Sequence, residues 1–368
     1  MPVILALSLL LGAGLLGLAL RTDERRRRAP ALPPPPPLSH PPATVALLPV
    51  RDERLNVLDC VATLLTQTAA PRVRVIDDGS TDGTAGLVAG RLAAEPRLEL
   101  IPAGPLPDGW RGKVHALQTG SRGIQEPWLL SIDADARLAP DLLARAHAAA
   151  AERGLDAVSI AGFQEVRGVA ENLLIPSVFA LLDTVLGDWE AVGDGSGPAV
   201  ANGQFILVRR EAWEACGGFE SVRKETLDDV ALVKRMREHG FRTAFLRSES
   251  LRVRMYRGFN EASRGWRRNL GGLYGASPGR TAAVLAILLP PVLALLGCLL
   301  TGRWVEAAVL WTAGAASSML FRSGSGHAPA WGLLYPLDAL SLAGVLLLGV
   351  RDRRRGKLSS WKGREIRV

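Results

Sequence analysis

The chain is poor in the residues that build disulfide frameworks and zinc sites. It has three cysteines and five histidines among 368 residues. The cysteines, Cys60, Cys216 and Cys298, are odd in number and match no metal-binding spacing. The histidines likewise form no pair at metal-ligand spacing. We therefore expect buried, reduced thiols in a cytoplasmic domain and no zinc site.

A glycine-rich nucleotide-binding loop is also missing. GAGLLG at 12–17 has the glycine spacing of a dinucleotide fingerprint, but no strand precedes it and no acidic residue follows about twenty positions later. Because the motif lies inside an uncharged apolar run, close helix packing in lipid explains Gly12, Gly14 and Gly17 better. The segment PVRDERLNV, which ends the first predicted strand, lacks the glycine-rich basic loop of nucleotidyltransferases.

Apolar residues make up 48% of the chain and are concentrated at its two ends. Residues 3–20 carry no charge and are about long enough to cross a bilayer. A cleaved signal peptide would begin with basic residues, whereas here Arg21 and the run 25–28 follow the apolar segment. We predict a retained anchor, with its N-terminus outside and the following chain in the cytoplasm.

The net charge of +8 is not distributed as in a nucleic-acid-binding domain. Segment 21–28 has five Arg against two acidic residues, and segment 351–368 has eight Lys or Arg against two. These segments hold +3 and +6, so the rest of the chain is left at −1. The basic residues therefore flank predicted membrane segments, where they suit anionic lipid headgroups, and we predict no nucleic-acid partner.

The middle of the chain alternates between strand and helix patterns. Residues 29–42, with PPPPP at 33–37, predict a semi-rigid spacer. Predicted strands cover 44–50, 72–77, 98–101, 127–132, 204–210 and 241–247. Predicted helices cover 113–121, 140–151, 228–239 and a stretch with Leu55, Leu58, Val61 and Leu65 on one face. This alternation predicts an α/β fold whose mostly parallel sheet is covered on both faces, with ligands beyond the carboxyl ends of its strands.

The C-terminal quarter returns to membrane character. Residues 281–301, 304–321 and 331–350 are three candidate spans. Three crossings would leave the basic cluster 351–357 outside, against the positive-inside rule. Either one segment does not cross or the tail breaks the rule, and we expect Pro336 and Asp338 to interrupt the third.

Pairs of carboxylates mark the ends of predicted strands. In SIDADA, 131–136, Asp133 and Asp135 follow a buried strand, and on extended backbone their side chains would point to the same side. Carboxylate oxygens in that arrangement suit Mg²⁺ or Mn²⁺, which take phosphate oxygens as further ligands. The same pair is also common in solvated turns, so by itself it does not establish a metal site.

Two further acidic motifs surround this pair along the chain. IDDGS at 76–80 again ends a strand, and a capping role is as good an account of either aspartate there. In ETLDDVAL, 225–232, Asp228 and Asp229 open a helix. Helix capping and the helix dipole explain one of these two carboxylates, which leaves the other free to act as a base.

These motifs together resemble the family 2 glycosyltransferases with the GT-A fold. The resemblance covers roughly residues 44–275 and rests on the order of the motifs as well as on their content. PVRDE at 49–53 is similar to the family's P-x-x-N-E loop, with Asp52 where Asn is usual. ANGQFILVRREAWEACGGF at 201–219 resembles the stretch that lines the acceptor side of the donor pocket.

The resemblance assigns a role to each matching position. It implies that Asp78 contacts the nucleotide base, that Asp133 and Asp135 bind Mg²⁺ or Mn²⁺, and that Asp229 is the catalytic base. The chemistry of the leaving diphosphate leads us to expect Lys113 as a second cation for it, although outside this motif context a lone lysine is more often a solvated surface residue. The expected donor-binding residues are Glu53, Asp78, Lys113, Asp133 and Gly203. The expected acceptor-side residues are Asp228, Trp266, Arg267 and Arg268.

Three segments resemble a membrane-bound branch that includes carotenoid- and hopanoid-associated glycosyltransferases: PDGWRGKVHAL at 107–117, GWRRNL at 265–270 and SSWKGREIRV at 359–368. This implies inverting transfer from a nucleotide-sugar, UDP-linked, to a lipid acceptor such as a carotenoid or hopanoid. The Q-x-x-R-W motif of processive synthases is not present as such. A polysaccharide synthase-like transferase and a nucleotidyltransferase stay as alternatives.

The predicted organisation places one catalytic domain between membrane segments. We expect an anchor at 1–20, a basic and Pro-rich linker at 21–42, the GT-A domain at 43–275, two or three membrane helices at 276–350 and a basic cytoplasmic tail at 351–368. The protein is accordingly expected in the inner membrane, multi-pass, with its catalytic domain in the cytoplasm.

Overall fold

The computed structural model describes residues 2–28, 32–34, 41–186, 199–225, 227–274, 277–355, 358–361 and 364–367. The chain forms two compact units, which we describe separately. The sheet unit comprises Ala29–Phe163 and Asp188–Arg254. The helical unit comprises Met1–Arg28, Gln164–Gly187 and Met255–Val368.

The described residues contain ten strands and twelve α-helices. The strands are β1 (Thr44–Val50), β2 (Arg72–Asp77), β3 (Leu98–Pro102), β4 (Trp128–Ile132), β5 (Ala136–Leu138), β6 (Ala157–Gln164), β7 (Phe205–Arg209), β8 (Thr243–Val253), β9 (Leu358–Trp361) and β10 (Arg364–Arg367). The helices are α1 (Pro2–Arg28), α2 (Val57–Leu65), α3 (Thr84–Leu92), α4 (Gly112–Gly120), α5 (Leu142–Arg153), α6 (Gly168–Leu186), α7 (Arg210–Ala215), α8 (Asp228–Glu238), α9 (Phe259–Tyr274), α10 (Pro278–Leu300), α11 (Trp304–Gly324) and α12 (Tyr335–Arg354).

The sheet unit is built on one eight-stranded sheet with the order β3-β2-β1-β4-β7-β6-β8-β5. Strands β1, β2, β3 and β4 run parallel, with β1 at the centre of this half between β2 and β4. From β7 onwards the sheet is mixed, because β7 pairs antiparallel with both β4 and β6, and β5 pairs antiparallel with β8. The predicted α/β sheet is thus confirmed, with a parallel half and an antiparallel extension.

Helices cover the parallel half of this sheet through a tightly packed apolar core. Leu47 on β1, Ile76 on β2 and Leu117 on α4 belong to one buried cluster. Gly120, at the end of α4, lets this helix approach the sheet closely, since a Cβ there would lie 2.5 Å from Ile76 Cδ1. Close packing of this kind fixes the positions of the loops at the carboxyl ends of the strands.

Several details of the sheet unit differ from the sequence-based expectation. The buried face of α2 consists of Val57, Cys60, Val61 and Leu64. Leu55 is 68% exposed, because it precedes the helix and cannot share its apolar face. Strands β5 and β6 have no counterpart among the predicted strands. The three thiols are free and buried, as expected.

The predicted spacer lies partly outside the described residues, because residues 29–31 and 35–40 are not among them. Of the remainder, Leu32 is buried, and its carbonyl oxygen accepts a hydrogen bond from Arg145 of α5 at 3.3 Å. The carbonyl oxygen of Pro33 accepts a second one from Arg145 at 2.8 Å. This part of the linker therefore rests on the sheet unit.

The helical unit packs α1, α6, α9, α10, α11 and α12 around two apolar clusters. A Cβ on Gly12 of α1 would lie 3.0 Å from Ala313 Cβ of α11, so the predicted close helix packing holds for this glycine. Gly14 and Gly17 have no atom within 4 Å of their Cβ positions among the described residues, and close packing does not account for them.

Among the described residues, four helices are long and apolar enough to cross a membrane: Val3–Arg28, Pro278–Leu300, Trp304–Gly324 and Pro329–Arg354. The expected interruption at Pro336 and Asp338 does not occur. Both residues lie in the first turn of α12. Proline is tolerated there because the backbone N–H groups of a first turn have no partner within the helix, and the helix dipole favours the Asp338 carboxylate at this end.

The basic end of α1 is partly built into the helical unit. The Arg26 guanidinium pairs with Asp183 of α6 and donates to the Phe321 carbonyl oxygen of α11 at 2.8 Å. Arg27 and Arg28 keep 77% and 78% of their side chains exposed. The basic cluster therefore contains one arginine that is paired inside the helical unit and two that are mostly exposed and pair with acidic residues of α1.

Candidate active site

The loops after β1 and β2 bind each other at the carboxyl end of the parallel half. Asp52 has a φ of +50°, a conformation that Asp and Asn tolerate better than most residues. Its carboxylate accepts from Thr81 N at 2.7 Å, and its own N–H donates to Ser80 Oγ at 3.0 Å. The family's usual Asn and the Asp of this chain can therefore occupy the same turn.

Asp78 and Glu53, two of the expected donor-binding residues, are set by these same loops. Asp78 is only 3% exposed, its N–H donates to Val50 O at 2.9 Å, and its carbonyl oxygen accepts from the Arg51 guanidinium. Glu53 accepts from Asn56 Nδ2 at 2.9 Å. Both are thus held at the strand ends by backbone and side-chain contacts.

Asp133 and Asp135 lie in a turn between β4 and β5, which corrects the expectation of extended backbone. Ala136 N donates to Asp133 O at 3.1 Å and closes this turn. The turn arises because β4 pairs with β7 whereas β5 pairs with β8 at the far edge of the sheet, so the chain must change direction between them.

Lys113 meets this turn from the first helical turn of α4. Its Nζ lies 2.6 Å from Asp133 Oδ1, with 25% of the lysine side chain and 33% of the aspartate side chain exposed. Lys113 and the D-x-D motif are therefore joined by a direct ion pair, although the two residues are 20 positions apart in the sequence. The role of Lys113 toward the diphosphate stays a prediction.

Gly203 and Asp229 complete the cluster. Gly203 N donates to Asp229 Oδ2 at 2.7 Å, and Val230 N donates to Asp229 Oδ1 at 2.8 Å. A Cβ on Gly203 would lie 2.7 Å from Lys113 Nζ and 3.5 Å from both Asp133 Oδ2 and Asp229 Oδ2. The absence of a side chain at Gly203 therefore leaves a space that is bordered by one ammonium and two carboxylates.

The charges of this cluster shift its proton equilibria. Burial raises the pKa of Asp229 to about 6, and the neighbouring Asp228 carboxylate contributes to the rise, while Lys113 opposes it. Burial also raises the pKa of Asp228. Burial by itself would lower the pKa of Lys113, but Asp133, Asp228 and Asp229 together raise it above its ordinary value, so the amine stays protonated.

The remaining expected acceptor-side residues belong to the helical unit. Trp266 is 4% exposed and packs edge-on against Phe179, with ring centroids 5.6 Å apart. Arg267 forms an ion pair with Asp352, and Arg268 Nε donates to Asn269 Oδ1 at 3.3 Å. The acceptor-side roles of these three residues stay predictions. The burial of Trp266 gives it a packing role within its own unit.

The carboxylates fit a divalent cation that takes part of its coordination from a ligand. Among the described residues, no group of three or more His, Cys, Asp or Glu side chains converges to hold a metal by itself. Asp133 Oδ1 is paired with Lys113, whereas Asp133 Oδ2 borders the space at Gly203. Lys113 supplies one positive charge against the carboxylates of Asp133, Asp228 and Asp229, so the cluster has an excess of negative charge and hard oxygen donors.

Residues that the motifs do not include hold the D-x-D turn in place. Arg137 Nη1 donates to the carbonyl oxygens of Ala134 and Ala136 at 3.0 and 2.8 Å. Cys60 Sγ lies 3.7 Å from Asp133 O beneath the turn. Burial raises the pKa of the Cys60 thiol, so the group stays protonated and can donate. An arginine two residues after the motif is the one sequence signal that could have indicated this support.

Residues 41–269, more than half of the chain, match the model of the glycosyltransferase-like family 2. The chain therefore belongs to that family, and the carboxylates at the strand ends lie within the matched region. It is thus a glycosyltransferase, and the nucleotidyltransferase alternative has no support.

Curated relatives and a solved structure agree with this assignment. The 4,4'-diaponeurosporenoate glycosyltransferase of Staphylococcus aureus strain USA300 is 24% identical over 280 residues, which cover 74% of this chain and 72% of that protein. The protein of the same name from strain bovine RF122 is 24% identical over 290 residues, with the same coverage. The mannosyltransferase PcManGT from Pyrobaculum calidifontis, solved with GDP-Man and Mn²⁺, aligns with a TM-score of 0.56 at 22% identity over 95% of this chain and 98% of that chain. This likeness shows the GT-A fold.

Proposed function

We propose that this glycosyltransferase moves a sugar from a nucleoside diphosphate-sugar to a lipid acceptor, with inversion at the anomeric carbon. The observation that carries the proposal is the cluster of Lys113, Asp133, Gly203 and Asp229, in which a base and a diphosphate site share one small space. The PcManGT complex contains a nucleotide-sugar, which supports a donor of this class.

Asp229 is the proposed catalytic base. The acceptor hydroxyl oxygen forms a bond to the anomeric carbon, the bond from that carbon to the diphosphate oxygen breaks, and the hydroxyl proton passes to an Asp229 oxygen. A pKa of about 6 makes Asp229 a stronger base than an ordinary aspartate, yet it is ionised at neutral pH. The N–H groups of Gly203 and Val230 orient the carboxylate for this transfer.

Lys113 and the D-x-D turn are the proposed diphosphate site. The ammonium of Lys113 stays charged and can neutralise part of the leaving diphosphate. Asp133 and Asp135 would hold Mg²⁺ or Mn²⁺, which supplies positive charge to the diphosphate when bound. Mn²⁺ in the PcManGT complex supports a divalent cation for this fold. We assign Asp78 to the nucleotide base of the donor and Glu53 to the donor site.

The lipid acceptor and the membrane location rest on the helical unit and on the relatives. Within the described part of the chain, four helices have the length and composition of membrane spans. The names of the Staphylococcus aureus relatives point to a carotenoid-type acceptor. We propose a multi-pass protein of the inner membrane whose GT-A domain, assigned to 43–275, lies in the cytoplasm, because the arginines that end α1 favour that side.

The transfer reaction can be tested with the full chain in detergent. The purified protein is supplied with radiolabelled UDP- or GDP-sugars, a bacterial lipid extract and Mg²⁺ or Mn²⁺. We expect label in the organic phase with one of the two nucleotides, and loss of the signal when EDTA is added. Full transfer in EDTA would contradict the metal assignment. Label found only in a water-soluble polymer would favour a polysaccharide synthase-like transferase.

Topology needs a separate measurement. The three native cysteines are buried, so a cysteine introduced by Arg91→Cys on the exposed face of α3 reports on the sheet unit alone. A membrane-impermeant maleimide should label this site in broken cells and leave it unlabelled in intact cells. Labelling in intact cells would place the sheet unit outside.

A further inference from the structure

A cavity lies among the helices of the helical unit, and the transfer reaction gives it no role. Its volume is about 150 Å³, and one side of it is open to the surroundings. Its walls come from α1, α6, α10, α11 and α12 and are mostly aliphatic, with Leu15, Leu181, Ile287 and Leu342 among them.

One side of this cavity is polar and charged. Arg322 of α11 and Asp338 of α12 form an ion pair of 2.8 Å, with 1% and 7% of their side chains exposed. Ser318 Oγ donates to the same aspartate oxygen at 2.9 Å. Burying an ion pair among apolar helices is costly, and ionisable residues inside membrane segments usually serve binding or transport.

Three polar atoms of this region have no hydrogen-bond partner within the described part of the chain. They are Arg322 Nη1, Asp338 Oδ1 and the hydroxyl oxygen of Tyr335. Each belongs to a residue that lines the cavity and is at least nine-tenths buried. Buried polar groups in proteins are nearly always hydrogen-bonded, so three such atoms at one cavity point to a bound molecule that satisfies them.

The Tyr335 ring is held at the cavity by a glycine. A Cβ on Gly314 of α11 would lie 2.4 Å from Tyr335 Cζ, so only glycine at this position lets the ring pack against the helix. Tyr335 and Gly314 both line the cavity. The phenol is therefore positioned by the backbone of α11, on the same helix as Arg322.

We propose that this cavity binds a neutral lipid alcohol, a long apolar molecule that ends in one hydroxyl group. A hydroxyl can donate to Asp338 Oδ1 and accept from Arg322 Nη1 and the Tyr335 hydroxyl, which matches the three available atoms. The ion pair carries no net charge, so a carboxylate or phosphate head would bring an uncompensated charge into an apolar site and would face Asp338. The aliphatic walls suit the chain.

Photo-crosslinking tests this site in the full chain, purified in detergent. The probe is geranylgeraniol with a diazirine on its chain. We expect labelled peptides from α10, α11 or α12, and competition by unlabelled geranylgeraniol. Geranylgeranoic acid at neutral pH and the parent hydrocarbon should compete at least several-fold less well, since one has the wrong charge and the other lacks the hydroxyl.

Two pairs of variants separate binding from folding. Tyr335→Phe removes one hydrogen bond and should weaken labelling about three- to tenfold, whereas Tyr256→Phe, which alters a tyrosine of the same unit outside the cavity lining, should not. Ala339→Leu fills part of the cavity and should abolish labelling. Its control, Ala308→Leu, adds the same bulk at an exposed position of α11 and should leave labelling intact.

The labelling experiment can also show whether the bound alcohol is an acceptor or a structural lipid, and some of its results would overturn the proposal. Binding of this alcohol does not require the transfer reaction proposed above. If the bound probe becomes glycosylated when donor and metal are added, the alcohol is an acceptor; if it stays unmodified while transfer to other lipids proceeds, it is a resident structural lipid. Equal competition by the acid or the hydrocarbon, unchanged labelling in both Tyr335→Phe and Ala339→Leu, or absence of labelling would overturn the proposal.

Discussion

Replacing Gly203 with alanine would place a methyl group in the space between Lys113, Asp133 and Asp229. The new Cβ would lie 2.7 Å from Lys113 Nζ, whereas ordinary contacts begin at about 3.4 Å, so the ammonium must withdraw by roughly 0.7 Å. The two carboxylate oxygens at 3.5 Å need not move. The Gly203 backbone does not lie in the left-handed region, and alanine adds no backbone strain there.

The expected effect is large on activity and small on stability. The Lys113–Asp133 ion pair of 2.6 Å is partly exposed and contributes at most about 1 kcal/mol to the free energy of unfolding. Misplacing a catalytic group by about 1 Å can cost on the order of 100-fold in rate. We therefore expect kcat/KM for the donor to fall roughly 10- to 100-fold in Gly203→Ala, with an almost unchanged unfolding temperature.

The assay compares Gly203→Ala with Gly90→Ala by sugar transfer and thermal unfolding. Gly90 lies on the exposed side of α3 with no atom within 4 Å of its Cβ position among the described residues, so alanine there should leave transfer at the wild-type level. Wild-type kcat/KM in Gly203→Ala would refute the assignment of this cluster as the reaction site. A large loss of stability in that variant would show that the Lys113 ammonium cannot move away from the new methyl group.

Two further predictions concern the base and the turn. Because Asp229 must be ionised to accept a proton, kcat/KM should fall as the pH is lowered through about 6, and Asp228→Asn should move the midpoint of the pH profile to lower pH by removing a carboxylate that raises the Asp229 pKa. A midpoint that rises in this variant would contradict the electrostatic account. Arg137→Ala should destabilise the sheet unit by about 1–2 kcal/mol in chemical unfolding and weaken the apparent affinity for Mn²⁺, because the carbonyl oxygens of Ala134 and Ala136 lose their donor.

The control for the arginine is Arg91→Ala, on the exposed face of α3. This variant removes the same charge and should change neither the unfolding free energy nor the dependence on Mn²⁺. If Arg137→Ala and Arg91→Ala behave alike, Arg137 has no role in positioning the turn.

The sequence predicts most of the parallel half of the sheet, because β1 and β4 are short apolar runs and β2 alternates between arginine and apolar residues before a turn-rich segment. It does not predict β6, since AVSIAGFQ mixes small, polar and apolar residues without alternation. It also does not predict α6, which has a proline at position 176 within its apolar sequence. Both elements depend on tertiary packing that no local pattern records.

The candidate site shows the same division. The acidic motifs predict Asp133 and Asp229, which the fold brings into one cluster, because carboxylates at strand and helix ends are visible in a sequence. The roles of Asp133, Asp135 and Asp229 stay predictions. The backbone conformation of the D-x-D pair was wrongly expected to be extended, since the turn follows from the pairing of β5 with β8 at a distant edge. The ion pair with Lys113 and the contact of Gly203 N with Asp229 join residues far apart in the sequence, and only the fold places them together.

Transfer by Asp229→Asn, measured together with donor binding in the full-length protein, tests the central claim most directly. Asparagine keeps the size of the side chain but cannot take up the acceptor proton, so transfer should fall about 100- to 10,000-fold while the dissociation constant of the nucleotide-sugar stays close to that of the wild type. Glu238→Gln, which alters a carboxylate with 56% of its side chain exposed at the end of α8, should retain full transfer. Transfer by Asp229→Asn at the rate of Glu238→Gln would contradict the assignment of Asp229 as the base.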